Sequence, residues 1–250
     1  MKTKKGERML MEINKCIYPI FVIDSDSRPL VFCGTAFPIV PNGGMITCRH
    51  NVDRKLDSSH KLALRDDVND RFIPLGDFKS LNGDDFDLAF FQDAIPGKTE
   101  YFPVLMPSKV LIAEDASTIG KYAIGGIVTN VDKGYFRGHI VNIFRNPDKN
   151  NKWTEILPYP VIEGLSGAPV YTYHHGHKLI GICYGSVSQR ILAVEITEVK
   201  EGGETYKETT NRIVEFGLAY HASEVVNFLK GISVGNYVVS DGNTNVPGLD

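Results

Sequence analysis

Three residues with the chemistry of an acyl-transfer site stand far apart in this chain. Ser166 lies between glycines in "EGLSGAPV", His50 closes an apolar run in "GGMITCRH", and Asp87 opens another in "DFDLAFF". A serine hydroxyl is a weak nucleophile at its own pKa and needs a base to take its proton as the bond forms. Imidazole is suited to that role, and a carboxylate behind the ring sets its tautomer and stabilises the imidazolium. A carboxylate directly before Leu88 and Ala89 is drawn partly out of water, so it must have a partner. Asp84 and Asp85 are its rivals and read as solvated turn residues. A serine in a glycine-rich turn, taken alone, is better read as a tight turn, and a histidine at a strand end as a satisfied structural residue. Their occurrence in the order His, Asp, Ser is what favours chemistry.

These residues must be positioned by strands. Short runs rich in β-branched and aromatic residues alternate with Gly, Pro, Asn and Asp along most of the chain: "CIYPIFVI", "LVFCGTAFPIV", "GMITCRH", "HKLALR", "RFIPL", "FDLAFF", "ASTIGKYAIGGIVT", "GYFRGHIVNIF", "WTEILPYPV", "GAPVYTY", "KLIGICYG", "RILAVEIT" and "RIVEFGLAY". Such a pattern, without a long helical period, predicts an all-β sandwich or pair of barrels. One helix is expected in "HASEVVNFLKG", with Ser223 as N-cap and Gly231 as its stop. "VKEGGETYKETTN" reads as a polar hairpin loop, and the turn-rich residues after the helix as a loose tail.

The bulk properties narrow the function classes. At 250 residues the chain can build one large domain or two small ones. A formal net charge of −3 with scattered basic residues gives no footprint for nucleic acid. No apolar run approaches the roughly 18 residues of a membrane span. The basic start "MKTKK" is followed by Glu7, Arg8 and Glu12, and Pro19 interrupts the first apolar run, which is unlike an export signal. The expectation is a cytoplasmic protein, no membrane partner, and four cysteines, Cys16, Cys33, Cys48 and Cys183, that stay reduced. No C-x-x-C pair occurs. "HHGH" (His174, His175, His177) could suggest a metal, but it has no acidic or cysteine neighbour and reads as an exposed turn; no metal or organic cofactor is expected.

Taken together, "GTAF…MITCRH", "DFDLAFF" and "GLSGAPV…LIGICYG" resemble the three signature regions of chymotrypsin-like (trypsin-fold) serine proteases, especially the short bacterial and viral members. The matching residues are Thr47 and His50, Asp87, and Gly164, Ser166, Gly167 and Pro169. The resemblance implies two six-stranded antiparallel β-barrels with the active site in the cleft between them and a C-terminal helix. Residues 1–110 would form the barrel carrying His50 and Asp87. Residues 111–232 would form the barrel carrying Ser166, together with the helix, and 233–250 a flexible tail. It also implies a serine endopeptidase working through an acyl-enzyme on Ser166, with the backbone N–H groups of Gly164 and Ser166 as the oxyanion hole and a peptide or protein as substrate. The oligomeric state is left open.

Departures from the family pattern are visible. Ala168 replaces a glycine, Leu165 stands where activated zymogens carry an aspartate, and Tyr184 stands where many members have a serine bonded to the catalytic acid. Leu165 and the missing activation peptide imply an enzyme active as synthesised. The pocket for the residue before the scissile bond would be lined by Pro160, Tyr184, Gly185 and Ser186. With Pro160 where basic-specific members hold a carboxylate, an apolar residue such as Leu or Phe is expected there. The alternative is a catalytically silent protease-like domain that binds peptides or protein partners in its cleft.

Overall fold

A computed structural model of the chain describes Ile13 and residues 15–81, 86–123, 131–199 and 205–240. It is mostly β. The first sheet contains β1 (Tyr18–Ile23), β2 (Pro29–Val40), β3 (Gly44–Cys48), β4 (Lys61–Asp66), β5 (Arg71–Pro74) and β6 (Leu88–Phe91), in the order β5-β4-β1-β2-β3-β6. The second is built from β8 (Asp115–Ala123), β9 (Val131–His139), β10 (Asn142–Asn146), β11 (Lys152–Leu157), β12 (Pro169–Thr172), β13 (Lys178–Val199) and β14 (Thr205–His221). Its order is β10-β11-β14-β13-β12-β8-β9. Two short strands extend it: β7 (Val104–Leu105) pairs with β13, and β15 (Val239–Ser240) pairs with β7.

The expectation of two closed, six-stranded barrels needs correction. The pairings form two open sheets, of six and nine strands, antiparallel except for the parallel pairings of β7 with β13 and β15. In the second sheet the run "GYFRGHIVNIF" does not form one strand. At Ile140 and Val141 the backbone changes partner: Ile140 N–H donates to Glu114 and Val141 N–H to Ile156. That change makes β9 and β10 the two edges of the sheet rather than one continuous strand.

Local chemistry explains other boundaries. β11 stops at Leu157 because Pro158 and Pro160 cannot donate to a ladder. "KLIGICYG" and "RILAVEIT" merge into one strand of 22 residues. Much of the expected polar loop is strand too, since β14 begins at Thr205, where "ETTNRIV" pairs back onto β13.

The helix α1 (Ala222–Gly231) lies where expected, but its N-cap is His221, not Ser223. His221 Nδ1 accepts the Ser223 N–H at 3.1 Å. Burial pushes the His221 ring down to about 4, against a backbone bond at Val110 that acts the other way, so the ring is neutral and can accept. The chain beyond the helix, expected to be loose from Ser233, is held as far as Ser240: the N–H groups of Val104 and Met106 donate to Val238 and Ser240. The rest of that tail lies outside the described residues.

One hydrophobic core joins the sheets. Phe37, Ile39, Ile46 and Leu88 from the first pack with Leu157, Val170, Ile180 and Ile182 from the second and with Val225, Phe228 and Leu229 of α1. Among the described residues no helix is long and apolar enough to cross a membrane. All four cysteines are buried and unbridged.

Candidate active site

His50 sits in a single 3-10 turn (Arg49–Asn51) at the end of β3, and Asp87 immediately precedes β6, the strand paired with β3. Pairing of Cys48 with Leu88 therefore brings the two side chains to the same sheet edge. His50 Nδ1 lies 2.6 Å from Asp87 Oδ2, and the His50 backbone N–H donates to Asp87 Oδ1 at 2.9 Å. Burial by itself would raise the Asp87 carboxyl. The bonds from the His50 ring and backbone, with the charge of Lys149, outweigh it and hold the group below its usual range. An ionised carboxylate only accepts, so Nδ1 carries the proton and Nε2 is the basic nitrogen. The His50 side chain remains 46% exposed and Asp87 18%. Thus the dyad is buried at its carboxylate and open at its base.

Asp87 is held by its backbone as well. Its carbonyl accepts from Arg49 N–H at 3.0 Å, and its N–H donates to the Tyr220 hydroxyl at 3.2 Å. Tyr220 is the residue that sequence reasoning missed. Tyr184, singled out there, does not touch Asp87: its hydroxyl accepts from Asn146 Nδ2 at 2.9 Å and lies 3.2 Å from Thr154 Oγ1. Its ring instead packs on Tyr220, with centroids 4.6 Å apart. A tyrosine at an expected strand end was the available signal, but its partner 133 residues away was not.

Ser166 lies in the second of two consecutive turns, the first closed by Leu165 N–H to Ile162 and the second by Ala168 N–H to Leu165. The turns need glycine at two points. Gly164 has φ +95° and a Cβ there would lie 2.2 Å from the Phe32 ring; Gly167 has φ +85° and a Cβ there would lie 2.2 Å from Thr35 O. Leu165 is fully buried, and Ala168 fills the space beside Gly120. Apolar packing anchors the turn from within.

A polar network seats this turn on the first sheet. The Ser166 carbonyl accepts from Thr35 N–H at 3.0 Å and from Asn51 Nδ2 at 2.9 Å. Thr35 Oγ1 donates to Gly164 O at 2.7 Å and accepts from Lys121 N–H at 3.0 Å, while Thr47 Oγ1 donates to Thr35 O at 2.7 Å. Asn51, the neighbour of His50, thereby ties the His50 turn to the backbone of Ser166. The structure brings His50 and Asp87 into direct contact and docks the Ser166 turn beside them. It does not place Ser166 Oγ in hydrogen-bonding geometry with the His50 ring. Among the described residues the N–H groups of Gly164 and Ser166 donate to nothing, although both neighbours in the turn, Leu165 and Gly167, are bonded.

Of the expected pocket residues, Ser186 and the 158–161 run come together: Ser186 Oγ accepts Val161 N–H at 2.7 Å and lies 3.2 Å from Val161 O. Gly185 borders open space and Gly217 presses against Tyr159 O. The Tyr184 ring is buried away from this wall, so Tyr184 lends it only backbone. Of the two nearest acids, Glu163 is exposed. Glu155 is fully buried with neither oxygen bonded, and burial raises its carboxyl well above the usual range.

Cys48, His50 and Asp87 present donor atoms within 4.8 Å of one another, a spacing a metal ion could use. Their protons argue for another role. Burial raises the Cys48 thiol, which donates to Cys183 O at 3.2 Å, and His50 Nδ1 is engaged by Asp87. In "HHGH", the expectation of an exposed turn fails for His177, which folds inward between Tyr171 and Tyr173, ring centroids 5.6 and 4.4 Å away. No protein-family model matches the chain, and no curated protein sequence is significantly similar to it.

Proposed function

We propose that this protein is a serine endopeptidase of the chymotrypsin-like kind, with Ser166 as nucleophile, His50 as base and Asp87 as the group that orients it. The observation that carries the reading is the His50–Asp87 pair, oriented with its basic nitrogen free, beside a glycine turn with two undonated N–H groups. As Ser166 Oγ attacks a peptide carbonyl, its proton passes to His50 Nε2. The imidazolium that forms is stabilised by Asp87, and the same proton then goes to the leaving amine. The Gly164 and Ser166 amides are suited to the oxyanion, and losing one such donor typically costs about 10²–10³ in turnover. In this reading Ser166 Oγ comes within reach of His50 Nε2 in the reacting complex, where such contacts commonly tighten. The apolar surroundings of Val161 and Gly217 favour an uncharged side chain before the scissile bond, since an unpaired buried cation costs several kcal/mol, on the order of a broken buried ion pair.

A fluorophosphonate probe tests this reading. Wild-type protein should be labelled on Ser166, and Ser166→Ala and His50→Ala should abolish labelling while leaving the thermal transition intact. Absence of labelling in folded wild-type protein would instead favour a cleft that binds without turnover.

A further inference from the structure

Beyond the pair Ser186–Gly217, β13 and β14 leave the sheet and continue as a two-stranded arm. Paired residues on an antiparallel ribbon share a face. One face of the arm therefore carries the pairs Val187–Phe216, Gln189–Val214, Ile191–Arg212, Val194–Thr210, Ile196–Glu208 and Glu198–Tyr206. A register shift between Leu192 and Val194 keeps Val194 and Ile196 on this side. The opposite face carries the pairs Ser188–Glu215, Arg190–Ile213 and Glu195–Thr209, and Thr197; it is the more polar of the two, with Ile213 its exposed apolar residue. Val187, Ile191, Val194, Ile196 and Tyr206 are each between 43% and 52% exposed, so the apolar side of the arm is uncovered. A free two-stranded ribbon is at best marginally stable in water, and a continuous apolar face on it marks a contact surface.

The arrangement of charges on this face indicates what covers it. Arg212 lies two residues from Thr210 on one side, and Glu208 two residues from it on the other. Both are exposed, and neither forms a salt bridge among the described residues. Consider a two-fold axis through the Val194–Thr210 pair, in the plane of contact and across the strands. It sets Arg212 against Glu208 of the other copy, twice. The same operation places Ile191 over Ile196, Val194 over Val194 and Tyr206 over Val214. Tyr206 then reaches the hollow at the root of the arm lined by Val187, Gln189, Phe216 and Ile156. The apolar residues Ile191, Val194 and Ile196 meet one another, the Glu198 position meets Gln189, and Arg212 and Glu208 neutralise each other in a self-complementary contact.

We propose that this face is a self-association surface, seated on the same arm of a second copy of this chain. The face is roughly 35 Å long by 10 Å wide at ordinary strand spacings. Two such faces, with their side chains, bury on the order of 1,000 Å² together, the lower end of a specific interface, so the dimer is a reversible one. The inference stands independently of the peptidase reading, because the arm contributes neither His50, Asp87 nor Ser166.

Sedimentation velocity on the full chain over a concentration series tests it. Wild-type protein should pass reversibly from monomer to dimer. Arg212→Glu and Glu208→Arg, each alone, should weaken the dimer about ten-fold or more, because like charges then meet at both symmetry-related pairs. Mixing the two single variants should restore association, since each then offers the charge the other needs. Val194→Asp, which meets its own copy on the axis, should leave a folded monomer, with folding checked by circular dichroism. Fluorophosphonate labelling should be the same in all of these variants as in wild type. Wild-type protein that stays monomeric at high micromolar concentration would overturn the proposal. So would a dimer that survives Val194→Asp, or charge variants that do not complement each other.

Discussion

Replacing Tyr220 by Phe removes one oxygen from the structure and little else. The ring stays against Tyr184 and Phe86, at centroid distances of 4.6 and 6.3 Å, so no cavity opens. What disappears is the acceptor for the Asp87 N–H, at 3.2 Å. A part-buried amide left without a partner costs about 1–3 kcal/mol. In a domain of this size ~1 kcal/mol lowers the melting temperature by about 2–4 °C, so a drop of several degrees is expected. The second effect falls on His50. Asp87 still receives the His50 ring and backbone, but the backbone beneath its carboxylate is loosened. Labelling by a fluorophosphonate should slow by roughly ten-fold, equivalent to about 1.4 kcal/mol of lost orientation. Tyr184→Phe is the control, because its hydroxyl serves Asn146 and Thr154 instead. That variant should lose comparable stability and label at the wild-type rate. If Tyr220→Phe melts and labels as wild type does, or if Tyr184→Phe slows labelling equally, Tyr220 does not position Asp87.

Glu155→Gln should be more stable than wild type at neutral and alkaline pH. The buried carboxyl has its folded-state pKa raised, so wild type loses stability as pH climbs above the unfolded value near 4.5, by about 1.4 kcal/mol per pH unit until the folded value is reached. Parallel urea titrations across that range would show it, and a pH-independent difference would count against a buried neutral carboxyl. The histidines titrate in the opposite sense. Burial lowers His177 and His221 to about 4 from an ordinary 6.5. Their stabilisation is complete above 6.5 and declines as pH falls towards 4, because the unfolded chain binds the extra protons. His221→Asn keeps a side-chain acceptor at the helix N-cap without the titration. Its stability relative to wild type should therefore rise on acidification between those two values, and a flat difference would refute the assignment.

Much of this protein is written locally. The glycines around Ser166 report a turn that no L side chain enters, because their φ angles are positive and backbone lies within 3 Å of any added Cβ. "DLAFF" and "MITC" are apolar enough to be buried neighbours, and their pairing carries His50 and Asp87 to one edge. The strand runs, the helix at Ala222–Gly231 and the three candidate residues were legible for that reason: each depends on a few adjacent side chains. Sheet closure was not legible, because whether β9 continues into β10 depends on which distant strands offer carbonyls to Ile140 and Val141. Nor were Tyr220 beneath Asp87, the ties from Thr35 and Asn51 to the serine turn, or His221 as the helix cap. Each of these is a hydrogen bond whose worth depends on burial and on a partner brought in by the fold. The arm shows the same division. Its alternating residues are present in the sequence, but which of them share a face was decided by the register of β13 on β14 and by one shift at Leu192, since a slip of one residue exchanges the faces of a strand.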